Sequence, residues 1–424
     1  MNKRKMSSNA KSVGAVFLAV LLMAMALAGC SSSSGSAGST ADKGSSAAAA
    51  APADTAGTED AGGDTIIVGG LWQTTGFMAD YEIPGSEGFE LALEEINAAG
   101  GIDGKQIEYV YYNGESELDL NSSLIAKLID VDGAKVVVGL GDPNSAIASG
   151  TVAQGKGVPT LATSSTLPYT QDRVGDTAFL VPFGDNVQAY AAAEYAYSDL
   201  GLTSVYVVTD STDEYTLSLS KFFQERFTAI GGTVLGENTY DDNGYTDFSP
   251  SIQKIKALDT PPEALFFASF TDQGPTILKQ FRDAGLDQPV FSGDGLDSVA
   301  IAEIAGEAAN NTYFTTHVDY TESNAKVANF LAAYTAKYGE EPLNAFAALG
   351  YDAAYLIKYA IEKNGNGDYS AEGIKNALGK VTDFEGITGT ISYANGHVPN
   401  KTVYICEFKD GTKVNLLSVL PAAE

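Results

Sequence analysis

Apolar and polar positions along the chain alternate between two periods. Thr65–Leu71 (TIIVGGL) is a short, almost continuous apolar run, which predicts a strand buried on both faces. Within Pro84–Lys105, Phe89, Ala92, Leu93 and Ile96 recur at helical spacing, while Glu90, Glu94 and Glu95 turn elsewhere. Gly100 and Gly101 then end the predicted helix, because glycine takes the left-handed backbone of a C-cap without steric cost. Gln106–Tyr112 reads as the next strand. The result is a strand–helix–strand unit with a loop over Trp72–Ile83, above the carboxyl end of the first strand. Open α/β sheets bind ligands at that end.

The alternation continues with helix Leu118–Asp130, strand Lys135–Leu140, and helix Asn144–Gly155 entered through Gly141-Asp142-Pro143-Asn144. A short strand, Pro159–Ala162, precedes the polar loop Thr163-Ser164-Ser165-Thr166. Phe179–Phe183 reads as a crossover into a second series: helix Asn186–Leu200, strand Ser204–Thr209, helix Thr216–Ile230 and strand Ala264–Phe270 among others. Thr312–Thr316 reads as a return crossover, followed by helices Ala325–Tyr338, Ala345–Glu362 and Ala371–Lys380. The tail changes character. Thr390–Tyr393, Val403–Phe408 and Val414–Leu417 are short strands separated by Asn395-Gly396 and Asp410-Gly411, both hairpin signals. Alternating strands and helices predict an α/β fold of parallel sheets with covering helices. Two such series, joined by more than one crossover, predict two lobes with a ligand cleft between them.

The first residues set the compartment. Lys3, Arg4, Lys5 and Lys11 precede the apolar run Val13–Ala28, a pattern expected of a secretory leader spanning 1–29. Leu27-Ala28-Gly29-Cys30 resembles a bacterial lipobox, which implies lipidation of Cys30 and an extracytoplasmic protein anchored to the membrane. Residues 30–63, rich in Ser, Ala and Gly, cannot bury a core and read as a disordered tether. Its root-mean-square reach is about 30 Å.

Charge and chemistry narrow the function further. The net charge of −29 over 424 residues argues against a nucleic-acid partner. With Cys30 lipidated, Cys406 is the one cysteine left, and it reads as a buried strand thiol. His317 and His397 are the only histidines and give no metal-ligand spacing. There is no Gly-x-Ser-x-Gly elbow, no P-loop and no histidine-centred nucleophile, so neither an enzyme nor a cofactor is expected.

Gly88–Gly104 (GFELALEEINAAGGIDG) resembles the G-x-x-L-A-x-x-x-I-N-x-x-G-G-I-x-G segment of leucine/isoleucine/valine-type periplasmic binding proteins, the type I substrate-binding components of ABC importers. Gln280–Gly285, Gly293-Asp294-Gly295, Ile304–Ala308 and Gly350-Tyr351-Asp352-Ala353 add further matches in order, and the resemblance covers nearly all of Thr65–Leu417. It implies two doubly wound α/β lobes joined by a three-strand hinge. The expected division is 64–182 plus 318–398 for the first lobe and 183–317 plus 399–424 for the second. It also implies a monomer that captures an amino acid or similar solute by lobe closure and delivers it to a membrane permease.

An amino acid in a closing cleft must have both charges met, because each loses its water. The resemblance places Asn144, Ser145, Ser164 and Thr166 as donors to the ligand carboxylate, helped by the helix N-terminus at Asn144. Many relatives carry a hydroxyl residue where this chain has Pro143, which donates nothing. Asp294 is the expected partner of the ammonium. Tyr215 and Phe270 on the second lobe, with Trp72, Phe77 and Tyr81 in the opening loop, are expected to line the side-chain pocket, and Asp185 and Gln188 lie just past the crossover. Alternatives within the same reading are an amide, an aromatic or a purine-like solute, or a protein that feeds a separate sensor.

Overall fold

The computed structural model describes residues 65–241, 246–321 and 323–420. The leader, the tether and Cys30 lie outside the described residues. No helix among the described residues is long and apolar enough to cross a membrane.

Five strands form the first sheet: β1 (Thr65–Trp72), β2 (Gln106–Asn113), β3 (Val136–Gly139), β4 (Thr160–Ala162) and β5 (Ala178–Leu180). They lie parallel in the order β2-β1-β3-β4-β5. The second sheet begins with β6 (Ser204–Asp210), β7 (Thr233–Tyr240), β8 (Ala264–Ala268), β9 (Val290–Phe291) and β10 (Thr312–Thr316), also parallel. A separate pair, β11 (Phe384–Glu385) and β12 (Thr390–Ile391), follows in sequence. Then β13 (Val403–Lys409) and β14 (Thr412–Val419) add antiparallel to the second sheet, giving β14-β13-β10-β9-β8-β6-β7. The chain therefore passes between the sheets after β5, after β10 and before β13.

The first helix departs from the expected pattern. It spans Ala79–Ala98 and carries Pro84 inside it, so the loop after β1 is only 73–78 rather than Trp72–Ile83. Proline cannot donate to the carbonyl four residues back, which here is Asp80 O. The Asn344 side chain donates to that carbonyl instead, at 2.7 Å. A residue distant in sequence thus repairs the helix that a local reading would have begun later.

Asn395-Gly396 is the second correction. It joins no hairpin, since β12 pairs with β11 and β13 pairs with β10 and β14. The segment instead runs beside β5, where Leu180 N donates to His397 O at 2.9 Å and the Tyr393 hydroxyl donates to Leu180 O at 2.8 Å. Asp410-Gly411 is a hairpin turn, with φ of 50° and 78°, the pair of left-handed residues that a type I′ turn requires. Cys406 is buried, its thiol donating to Asn415 Oδ1 at 2.8 Å and pushed up to about 12 by burial.

The two motifs Gly88–Gly104 and Gly350–Ala353 meet in space. Helix Ala79–Ala98 packs along helix Phe346–Asn364 so closely that a Cβ on Gly88 would lie 1.9 Å from Ala347 O. A Cβ on Gly350 would lie 1.9 Å from Gly85 O. These glycines serve backbone contact. Gly88→Ala is expected to cost about 1–3 kcal/mol, the range for forced overpacking. Gly155, inside helix Pro143–Lys156 with open space around it, is the control: Gly155→Ala should stabilise by roughly 0.5–1 kcal/mol. Urea unfolding of both variants checks this, and an unchanged midpoint for Gly88→Ala would contradict the packing argument.

Candidate functional site

Loops from the carboxyl ends of both sheets converge on two adjoining voids. The inner one, about 10 Å³, is lined by Met78, Tyr81, Pro143 and Ser164 from one side and by Tyr215, Asp294 and Gly295 from the other, with Phe346 beside them. The outer one, about 240 Å³, is lined by Phe77, Ser116, Leu118, Asn144, Ser145, Asp210, Thr212 and Asp213. Asp142 and Phe270 line both. A void of about 270 Å³ lies elsewhere, but its walls all come from segments within 326–387, so it does not draw on both sheets.

Aromatic rings form the frame. Phe270 stands at 5.2 Å from Tyr215, 5.3 Å from Phe77 and 6.1 Å from Tyr81, and Tyr81 at 5.1 Å from Phe346. The Tyr81 hydroxyl accepts from Thr271 N at 2.8 Å and donates to Gly295 O at 2.7 Å. The Tyr215 hydroxyl accepts from Gly295 N at 2.8 Å. Both phenols are pushed well up by burial.

Asp294 is fixed from three directions. Its backbone N–H donates to Gln188 Oε1 at 3.0 Å, its Oδ1 accepts from Gln188 Nε2 at 2.9 Å, and its Oδ2 lies 2.8 Å from His317 Nε2. His317 is buried, stacked on Phe183 at 3.8 Å, and burial lowers its pKa against the pull of Asp294. With the imidazole neutral, Nε2–H donates to Asp294 Oδ2.

Four of the donors expected for a ligand carboxylate already serve acids of the chain. Ser164 Oγ donates to Glu82 Oε1 at 2.5 Å. Thr166 Oγ1 donates to Asp185 Oδ1 at 2.6 Å. The backbone N–H groups of Asn144 and Ser145 donate to Asp142, the N-cap of helix Pro143–Lys156, at 3.2 and 3.4 Å. The anion at that helix N-terminus is thus Asp142 itself. Asn144 Nδ2 reaches across to Asp213 Oδ2 at 3.0 Å, and Ser145 Oγ accepts from Asn121 Nδ2 at 3.3 Å.

The remaining expected residues divide. Thr166 and Asp185 are buried behind the inner void rather than lining it. Trp72 lines neither void; it packs 6.0 Å from Phe89 and its indole N–H donates to the Tyr109 hydroxyl, so its place is in the core. Met78, Glu82 and Phe346 were missing from the sequence reading. Phe346 carries a signal, since it opens the helix with the Gly350 motif; Glu82 carries none, because periodicity alone starts the helix after Pro84 whereas it begins at Ala79.

Burial raises the acids. Glu82 is pushed up to about 7, with the neighbouring Asp142 charge adding to the effect. Asp142 and Asp213 are raised by burial, Asp213 also by Asp142 facing it, and Asp185 is raised by burial and then by Asp294.

The architecture defines the class: a protein of two α/β sheets with voids between their strand ends, crossed three times by its chain. The chain belongs to the periplasmic binding protein family, whose model matches residues 65–413. It is 30% identical over 367 residues to a Leu/Ile/Val-binding protein homolog of Brucella melitensis, covering 86% of this chain and 97% of that protein. Among solved structures it resembles the branched-chain amino acid transporter substrate-binding protein LivJ of Streptococcus pneumoniae in complex with isoleucine, with a TM-score of 0.77 and 32% identity over 84% of this chain and all of the other. The leucine-binding protein LivK of Thermotoga maritima gives a TM-score of 0.78 at 28% identity, covering 84% of this chain and 99% of the other. These relatives are solute-binding proteins rather than enzymes.

Glu82 makes stability depend on pH. Its folded value of about 7 lies above the ordinary 4.5, so the folded state favours the protonated form. The stability this allows is full below about pH 4.5 and is lost as pH rises through 7, a loss on the order of 3 kcal/mol. Glu82→Gln should remove that dependence. Urea unfolding of both proteins at pH 4.5 and pH 8 measures it, and parallel losses in the two would refute the assignment.

Proposed function

We propose that this protein is the extracytoplasmic, lipid-anchored binding component of an ABC importer, taking a small amine-bearing solute of the branched-chain amino acid class or related to it and passing it to the permease. The observation that carries the solute assignment is Asp294. It lines the inner void, it is held by Gln188 and His317, and it is ringed by Tyr81, Tyr215 and Phe270. A carboxylate in that setting meets an ammonium and repels a ligand anion. The names of the Brucella, Streptococcus and Thermotoga relatives support the amino-acid class. Lipidation of Cys30 and the tether 30–63 keep the folded body near the permease while letting it stand off the membrane. We take the first lobe as 64–182 plus 318–398 and the second as 183–317 plus 399–424, because the three passes between the sheets fall at those joins. The protein acts as a monomer in this scheme.

A second reading, a solute other than an amino acid, is favoured by one specific feature: the hydroxyls of Ser164 and Thr166 are already committed.

Asp294→Asn is expected to weaken binding of the cognate solute about 100-fold, within the range for truncating one partner of a buried charge pair. Mass spectrometry of solute released from denatured protein identifies it, and calorimetry on wild type and variant measures the change. Equal affinity in the two proteins would remove Asp294 from the site.

A further inference from the structure

The site departs from the chemistry that an amino acid with a free carboxylate demands. Such a ligand needs donors or cations at its anionic end. Among the described residues, no lysine, arginine or histidine lines either void. The hydroxyls of Ser164 and Thr166 and the N–H groups of Asn144 and Ser145 are each committed to Glu82, Asp185 or Asp142. Pro143, at the mouth of that helix, has no N–H to give. Glu82 also takes the backbone N–H of Gln73, at 3.3 Å, so its carboxylate fills a cradle of donors at the strand ends. A ligand carboxylate on the first-sheet side would displace Glu82 or lie against it and Asp142.

The walls suit the opposite charge. Asp142 and Asp294 both line the inner void, and the rings of Tyr81, Tyr215, Phe270 and Phe346 complete its lining. Carboxylates stabilise a cation by Coulomb attraction, and aromatic faces add an attraction that grows when water is excluded. The outer void opens directly from Asp142 and Phe270 and brings Asp210 and Asp213 within it, so a second cationic or donor group on a longer solute is also met.

We propose that the cleft selects an organic cation with no free carboxylate, such as an amine or an amino-acid amide, and that Glu82 excludes the acid by occupying the donors it would use. This rests on the solute-capture reading above and narrows the solute. Glu82 acts here as a specificity-determining residue.

The test compares three probes that share one side chain: leucine, leucinamide and 3-methylbutylamine. Calorimetry uses the full purified protein, unfolded and refolded to strip carried solute. The amide and the amine are expected to bind at least tenfold tighter than leucine. Glu82→Ala, which frees Ser164 Oγ and Gln73 N, is expected to tighten leucine at least tenfold and so narrow the gap. Asp142→Asn serves the same end if the first variant fails to fold, with circular dichroism checking both. Leucine binding as tightly as leucinamide to the wild type overturns the exclusion while leaving solute capture intact. A gap unchanged in both folded variants overturns the role of the two acids. No response to any probe, together with release of an anionic or neutral solute from the native protein, overturns the cation assignment and the amine-bearing reading together.

Discussion

The first sheet depends on a helix that the chain makes some 250 residues later. Apart from the edge strand β2, its strands are largely buried on both faces, and helix Phe346–Asn364 covers helix Ala79–Ala98 backbone to backbone. The contact admits no side chain at Gly88 or Gly350. Meeting it forces the chain to leave the second sheet after β10 and return, and the tail must cross once more to complete the second sheet as β13 and β14. The hinge of three passes is therefore a consequence of how one sheet is covered. The same contact builds the site. Asn344, just ahead of the late helix, satisfies the carbonyl that Pro84 cannot, and so holds the turn that aims Tyr81 and Glu82 inward.

The cleft then concentrates acids where burial resists charge. Glu82, Asp142, Asp185 and Asp213 are all raised by desolvation, and each is held by donors of the chain. Hydrogen bonds to a carboxylate favour its ionised form while burial disfavours it, so these groups sit between two opposing terms. Any cation entering the cleft shifts the balance toward ionisation, which strengthens its own attraction. Asp294 is oriented by His317 and by the Gln188 amide.

Much of the architecture was legible because periodicity is a local property. Leu118–Asp130 was read to the residue, and most strands and helices were placed within a few residues. Errors arose where a distant group decides the outcome. The start of the first helix depends on Asn344, and the Asn395-Gly396 turn is held along the edge of β5 rather than closing a hairpin. For the site, loops at strand ends and the family resemblance point to Tyr81, Ser164, Tyr215, Phe270 and Asp294, and the structure sets all five around one small void. What the sequence could not show was commitment. A serine reads as a free donor until the structure shows the glutamate that accepts its hydrogen bond.

The Tyr81 hydroxyl carries a kinetic meaning. It accepts from Thr271 and donates to Gly295, so one phenol on the first-sheet side fastens two loops of the second. If the lobes close on the solute as the family resemblance implies, contacts of this kind stabilise the shut form before any solute contributes to it. Every 1.4 kcal/mol of such self-closure makes the open, loadable form tenfold rarer, and apparent affinity falls by the same fraction. On that scheme Tyr81 weighs on the balance between open and shut forms as well as lining the void.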